Sequence, residues 1–251
     1  MQIGADVYCD SMCILRALER ITPEPTFFPE GTPNWSVSRW TDTELMDLAA
    51  AVVLGSEVDN LPPDFAADRG RLYFGSDYDL HAFHQDLPHL TGQLRAHLNM
   101  MHEYLGSRPF MNGAQPGLVD ILSYYIVWFV RGRYKCGPKL LDEFTALQQW
   151  EQRMAETGHG RSAEMSAEES LDIALQARSV AMVSLDSVDP VEFEAGDLVE
   201  IMPGGDGGDP PVRGELVILT HDRIAIRRQH ERVGEVVVHF PRLGYRIDGV
   251  T

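Results

Sequence analysis

Cysteine is scarce in this chain: Cys9, Cys13 and Cys136 are its three, in 251 residues. A small odd number cannot supply the disulfide framework of a secreted mini-domain, so folding has to rest on a buried apolar core. Long apolar runs are missing too. The longest, Ile121 to Val130, has about half the length that a membrane-spanning helix needs. No basic and then apolar segment ending in small residues opens the sequence, so no secretory leader is read there. Positive charge is also short. Lys and Arg number 21 against 38 Asp and Glu, giving a formal net charge of −17 and a sequence pI of about 4.8. A chain this acidic repels phosphate backbones, which argues against nucleic acid or an anionic membrane as main partner. Together these absences describe a soluble protein of the reducing cytoplasm.

What is present is an ordinary share of apolar residues, 44%, enough for a sizeable core. Val7 and Tyr8 read as a short strand, and Ser11 opens a helix with Ile14, Leu15 and Leu18 at helical spacing. Pro23, Pro25, Pro29 and Pro33 then make a linker, because each removes a donor and disfavours helix before it. Thr41-Asp-Thr-Glu44 is a helix start, followed by Leu45, Leu48, Ala49, Val52 and Val53 on one face. Residues 55 to 86 look irregular, with loops at Pro62-Pro63 and Gly75. A long helix from Pro88 carries the stripe Leu90, Leu94, Leu98, Met101 and Leu105. Gly137-Pro138 precedes another amphipathic stretch, and a last helix from about Ala167 to Ser179 is expected to close the bundle.

After Ser184 the pattern shifts to short β-type runs: Gly196 to Met202, Val212 to Leu219, Arg223 to Arg227, Glu235 to Phe240 and Tyr245 to Ile247. Five short strands suggest a small twisted barrel or open sheet. Arg223, Arg227, Arg228 and Arg232 alternate there with Ile224 and Ile226, a stripe able to track a phosphate backbone. Stacking aromatics are few, and Glu215, Asp222, Glu231 and Glu235 lie among the arginines. Cross-strand ion pairing is therefore the expected explanation, with protein contact or coverage of the helices as the domain's role.

The most informative stretch is Arg108-Pro-Phe-Met-Asn-Gly-Ala-Gln-Pro-Gly-Leu-Val-Asp120, running into the apolar residues 121–130. It predicts a tight turn feeding a helix that is apolar all round and hence central in a bundle. Asp120 sits three residues after Gly117, where its carboxylate can turn back on the first-turn N–H groups as half of a capping box. This stretch resembles the core helix of the helical domain of glutathione S-transferases. Gly4-Ala-Asp-Val-Tyr-Cys-Asp-Ser-Met-Cys-Ile-Leu-Arg-Ala-Leu-Glu19 similarly resembles the last strand and following helix of that family's thioredoxin-like domain.

The resemblance implies a mainly α protein: a thioredoxin-like βα remnant at 1–22, a helical domain of the glutathione S-transferase kind at 34–183, and a small β-barrel-like domain at 185–251. It implies that the acidic-residue–Ser pair, here Asp10 and Ser11, holds the γ-glutamyl end of glutathione; elementary chemistry allows the same pair to do no more than cap a helix. The family's thiol-activating residue and cis-proline belong to a part of the thioredoxin-like domain with no counterpart in this sequence, so no catalytic residue is assigned. Glutathione is then the expected small-molecule thiol ligand, as substrate for conjugation if that half is supplied, and a homodimer is a further expectation. The alternative is a non-catalytic protein-interaction module built on the helical and β domains.

Tyr124, Tyr125 and Trp128, with Phe129, are candidates for an apolar substrate pocket, although aromatics on a buried helix also serve simply as core. Cys9 and Cys13, four apart, read as small buried thiols. His81 and His84, with Asp77, Asp79 and Asp86 nearby, lack a second ligand pair and read as a solvated loop rather than a metal site. Gly204-Gly-Asp-Gly-Gly-Asp209 matches one unit of a calcium-binding repeat that needs stacked copies, so a hairpin loop is expected.

Overall fold

The computed structural model describes residues 1–29, 31, 34–205 and 209–250. The chain divides into two compact units, one made of Met1–Pro23 with Ser162–Thr251 and the other of Glu24–Arg161. The two terminal segments, expected as separate domains, fold into one unit.

The first unit opens with β1 (Gln2–Ile3) and β2 (Asp6–Tyr8), an antiparallel pair turned at Gly4, whose φ of 59° suits a residue without Cβ. Helix α1 (Ser11–Ile21) follows and buries Met12, Cys13 and Ala17.

The second unit is helical. Its elements are α2 (Ser36–Arg39), a π-helical turn at Trp40–Leu45, α3 (Met46–Ser56), α4 (Pro63–Phe74), α5 (Leu80–Gln85), α6 (Leu87–Leu105), α7 (Leu118–Arg133), α8 (Gly137–Leu141) and α9 (Thr145–Glu156). Helical structure starts before the expected Thr41, and Thr41 is no cap: its buried hydroxyl donates back to the carbonyls of Val37 and Ser38, 3.1 Å each. The stretch read as irregular holds α4 and α5. Pro63 fits the first position of α4, where a missing N–H costs nothing, and Gly75 ends it at a φ of 77°. Asp79 caps α5 by accepting from the N–H groups of His81 and Ala82.

The core of this unit joins Leu45, Ala49 and Val52 to Leu94, Leu98, Met101, Leu105, Ile126, Val127, Val130 and Trp150. The α6 stripe is buried as its spacing predicts. At the start of α7 the fully buried Asp120 accepts from Gly117 N–H at 3.0 Å, Met111 N–H at 2.6 Å, Asn112 N–H at 3.0 Å and Trp150 Nε1–H at 2.7 Å. One carboxylate thus caps α7, fixes the preceding turn and holds the indole of α9, with four donors replacing its hydration.

The chain returns to the first unit with α10 (Ala167–Gln176), β3 (Ser184–Leu185), β4 (Leu198–Pro203), β5 (Val212–Leu219), β6 (Arg223–His230), β7 (Gly234–Pro241) and β8 (Tyr245–Gly249). Helix α10 starts in a capping box between Ser166 and Glu169. It does not close the helical bundle as expected. Leu171 and Ala174 pack with Ala5, Val233 and Val236 in the first unit, and Arg232 pairs with Glu168 and Asp172.

The strands form one sheet in the order β1-β2-β7-β6-β5-β4-β8, with β3 added beside β5. Among the described residues its end strands β1 and β8 do not pair, so the sheet is open where a barrel-like closure was expected. The join between the two termini is β2 parallel to β7, with Asp6 opposite Val237 and Tyr8 opposite His239. Val199, Ile201, Leu216, Ile224, Ile226, Val238, Phe240 and Ile247 make one core on this sheet, and Val217, Ile218, Ala225 and Val237 make another. The turn expected over 204–209 includes 206–208, which lie outside the described residues.

Candidate functional site

The end of β2 delivers Asp10 and Ser11 to the positive end of α1. Cys9 N–H donates to the His239 carbonyl at 2.9 Å, which fixes the strand end against β7. Asp10 caps the helix, accepting from Met12 N–H at 2.8 Å, and its φ of 70° is the one positive value at a non-glycine position among the described residues. An L-residue in that region costs free energy and persists where its surroundings fix it, a feature concentrated at ligand sites. Ser11 is the first residue of α1, and both side chains are exposed. A carboxylate next to a hydroxyl at a helix N-terminus is chemically suited to the ammonium and carboxylate of one amino-acid end group. Tyr245 stands nearby; burial, followed by the charge of Asp10, pushes its hydroxyl pKa up.

The two neighbouring thiols stay protonated. Burial raises Cys9, and it raises the buried Cys13 to about 12. Neither has the depressed pKa that a nucleophilic thiolate needs.

The aromatic candidates lie in the helical unit and diverge. Tyr124 meets Trp150 edge-on, with ring centroids 6.0 Å apart, and is packed on the core. Tyr125 donates to Asp42 Oδ1 at 2.7 Å and to the Thr41 carbonyl at 3.1 Å; burial and then the Asp42 bond raise its pKa. Trp128 is 56% exposed. Phe129 instead lines a cleft of about 570 Å³ with Leu61, Phe65 and Tyr73. His84 Nδ1 lies 2.9 Å from the Gly55 carbonyl, and no group of three potential metal ligands converges among the described residues.

The arginine stripe is partly paired. Arg227 lies 3.9 Å from Glu215 and 3.5 Å from Glu235, and Arg232 pairs with α10. Arg223 and Arg228 form no ion pair among the described residues.

One cluster escaped the sequence reading. Asp6, 3% exposed, meets Nε2 of the equally buried His239 at 2.7 Å, and accepts from Ser179 Oγ at 2.7 Å and Val180 N–H at 3.1 Å. Burial works to raise the Asp6 pKa, but the bonds from His239, Ser179 and Val180 and the charge of His239 outweigh it and hold the group below its ordinary value. The Tyr8 ring stacks on His239, centroids 4.5 Å apart and planes 11° apart. A carboxyl and an imidazole separated by more than 200 positions leave no local pattern, so only the β2–β7 pairing brings them together.

Residues 77–157 match the model for the glutathione S-transferase C-terminal domain. Among solved structures, a GST-like protein from Pseudomonas syringae is 27% identical with a TM-score of 0.72, covering 99% of this chain and 80% of its own. The glutathione S-transferase Blo t 8 is 18% identical, TM-score 0.39, over 59% of this chain and 58% of its own. A Methylobacterium radiotolerans glutathione S-transferase in complex with glutathione sulfonate is 15% identical, TM-score 0.42, over 63% and 70% respectively. Comparison with curated proteins gives no match. The helical-domain match and the Pseudomonas likeness agree with the motif around Asp120: over 77–157 the chain is similar to the glutathione S-transferase C-terminal domain, and over its length it is similar to a GST-like protein.

Proposed function

We propose that the protein binds glutathione at the N-terminus of α1, with Asp10 taking the γ-glutamyl ammonium and Ser11 the adjoining carboxylate. The observation that carries this reading is the strained backbone at Asp10, directly before an exposed serine on a helix N-terminus. A helix cap alone needs no such strain, since Asp and Asn cap readily from extended backbone. Likeness to the Pseudomonas GST-like protein over 99% of the chain supports it. Conjugation to an electrophile then needs a group that lowers the glutathione thiol pKa. No residue of this chain is assigned that task, and Cys9 and Cys13 are too protonated to replace the thiol.

The test separates charge from structure. Asn caps helices as well as Asp and tolerates positive φ, so Asp10→Asn removes the ammonium partner with little change to the fold. Asp10→Asn and Ser11→Ala should each weaken glutathione binding by roughly tenfold or more, the size of one charge-assisted hydrogen bond. Unchanged affinity in both variants would refute the assignment.

A further inference from the structure

The Asp6–His239 cluster borders a cavity of about 420 Å³ enclosed by β2, the C-terminal half of α1, the start of β6, His239 of β7 and residues 180–184. Its lining is of two kinds. The polar part is made by His239, Tyr8, Arg20 and Arg223. His239 is 1% exposed; its Nε2 is committed to Asp6, and its Nδ1 has no partner. A buried ring nitrogen without a partner forfeits a hydrogen bond that a bound molecule can restore. Arg223 Nε is likewise buried and unpartnered.

Arg20 and Arg223 make no ion pair among the described residues, although acidic groups outnumber basic ones by 38 to 21. Both line the cavity, and Arg20, an exposed residue, is held below its ordinary pKa by partial burial and then by the Arg223 charge. Asp222 offsets part of this repulsion at Arg20 but is itself 3.5 Å from Arg16, so the two arginines still present positive charge that an anion stabilises. Asp6 in the lining and Asp222 beside Arg20 offset part of that positive charge, which fits a monoanion better than a dianion. Met182 and Val183, 80% and 61% exposed, line the same space. Exposed apolar side chains beside a charged pocket match a ligand with an apolar body.

We propose that this cavity is a binding site for a small amphipathic monocarboxylate, its carboxylate between Arg20 and Arg223 and its apolar part against Met182 and Val183. The site lies at the far end of α1 from Asp10 and Ser11 and does not depend on glutathione binding. The cavity is of the size that takes small organic ligands.

Octanoate, octyl phosphate and octanol, titrated calorimetrically into the intact chain, test it. Octanoate should bind saturably, octanol at least tenfold more weakly, and octyl phosphate no more tightly than octanoate. Arg223→Gln and Arg20→Gln should each weaken octanoate by tenfold or more with an unchanged circular dichroism spectrum. Octanoate should also shift the amide resonances of residues 180–184. Equal affinity for octanol, octyl phosphate binding more tightly than octanoate, insensitivity to both arginine variants, or no saturable octanoate binding would each overturn the proposal. Glutathione titrated into Arg223→Gln should bind as in the parent, so failure of either site is seen separately.

Discussion

At the scale of single residues, two buried carboxylates hold more structure than their neighbours. Asp120 accepts four N–H groups, three from backbone and one from Trp150. Asp120→Ala leaves these donors buried and unsatisfied, for an expected loss of roughly 3–5 kcal/mol in urea unfolding. The Gly-x-x-Asp spacing made the link to Gly117 readable. The links to Met111, Asn112 and Trp150 depend on how the turn and α9 fold back, which spacing does not encode. Asp6 makes a different prediction. Its pKa is lowered in the fold, so its contribution is fully present above the ordinary carboxylate range and is lost as pH falls from about 4 through the lower folded value. The urea midpoint of the parent should therefore drop across that window. Asp6→Asn should be less stable at neutral pH, by roughly 1–3 kcal/mol, and flatter below pH 4; parallel pH profiles would contradict the assignment.

At the scale of elements, legibility follows the period of the apolar residues. Helices α6 and α7 are where their sequences put them, because the spacing of Leu94, Leu98, Met101 and Leu105 and of Leu118, Leu122, Ile126 and Val130 marks the buried face of each, while Ile121 and Trp128 of α7 stay exposed. Helix α4 has no apolar face to announce it, since Gly70 is its one buried position. Strand β2 was readable as a strand but not as the parallel partner of β7, since three residues carry no record of what lies beside them. Close backbone approach gives a further test at the α7–α8 junction. A Cβ on Gly137 would lie 2.1 Å from the Val130 carbonyl oxygen, so Gly137→Ala forces two helices apart. Loss of a few kcal/mol is expected from such overpacking, and a thermal midpoint equal to the parent's would contradict it.

At the scale of the molecule, the two termini, which local patterns present as separate domains, meet in one sheet. Tests of the β region therefore belong on the intact chain, because residues 185–251 alone lack β1 and β2. With Arg227 and Arg232 already paired to carboxylates, the intact protein should show no binding to single-stranded DNA or RNA at low salt. Micromolar binding that weakens steeply with added salt would reverse this reading. Recognition of the γ-glutamyl group by Asp10 and Ser11 is tested most directly by calorimetric titration of the intact chain with glutathione and, separately, with cysteinylglycine, the same molecule without that group. The expected result is saturable binding of glutathione and none of cysteinylglycine at equal concentration; equal binding of the two, or none of glutathione at millimolar concentration, would contradict it.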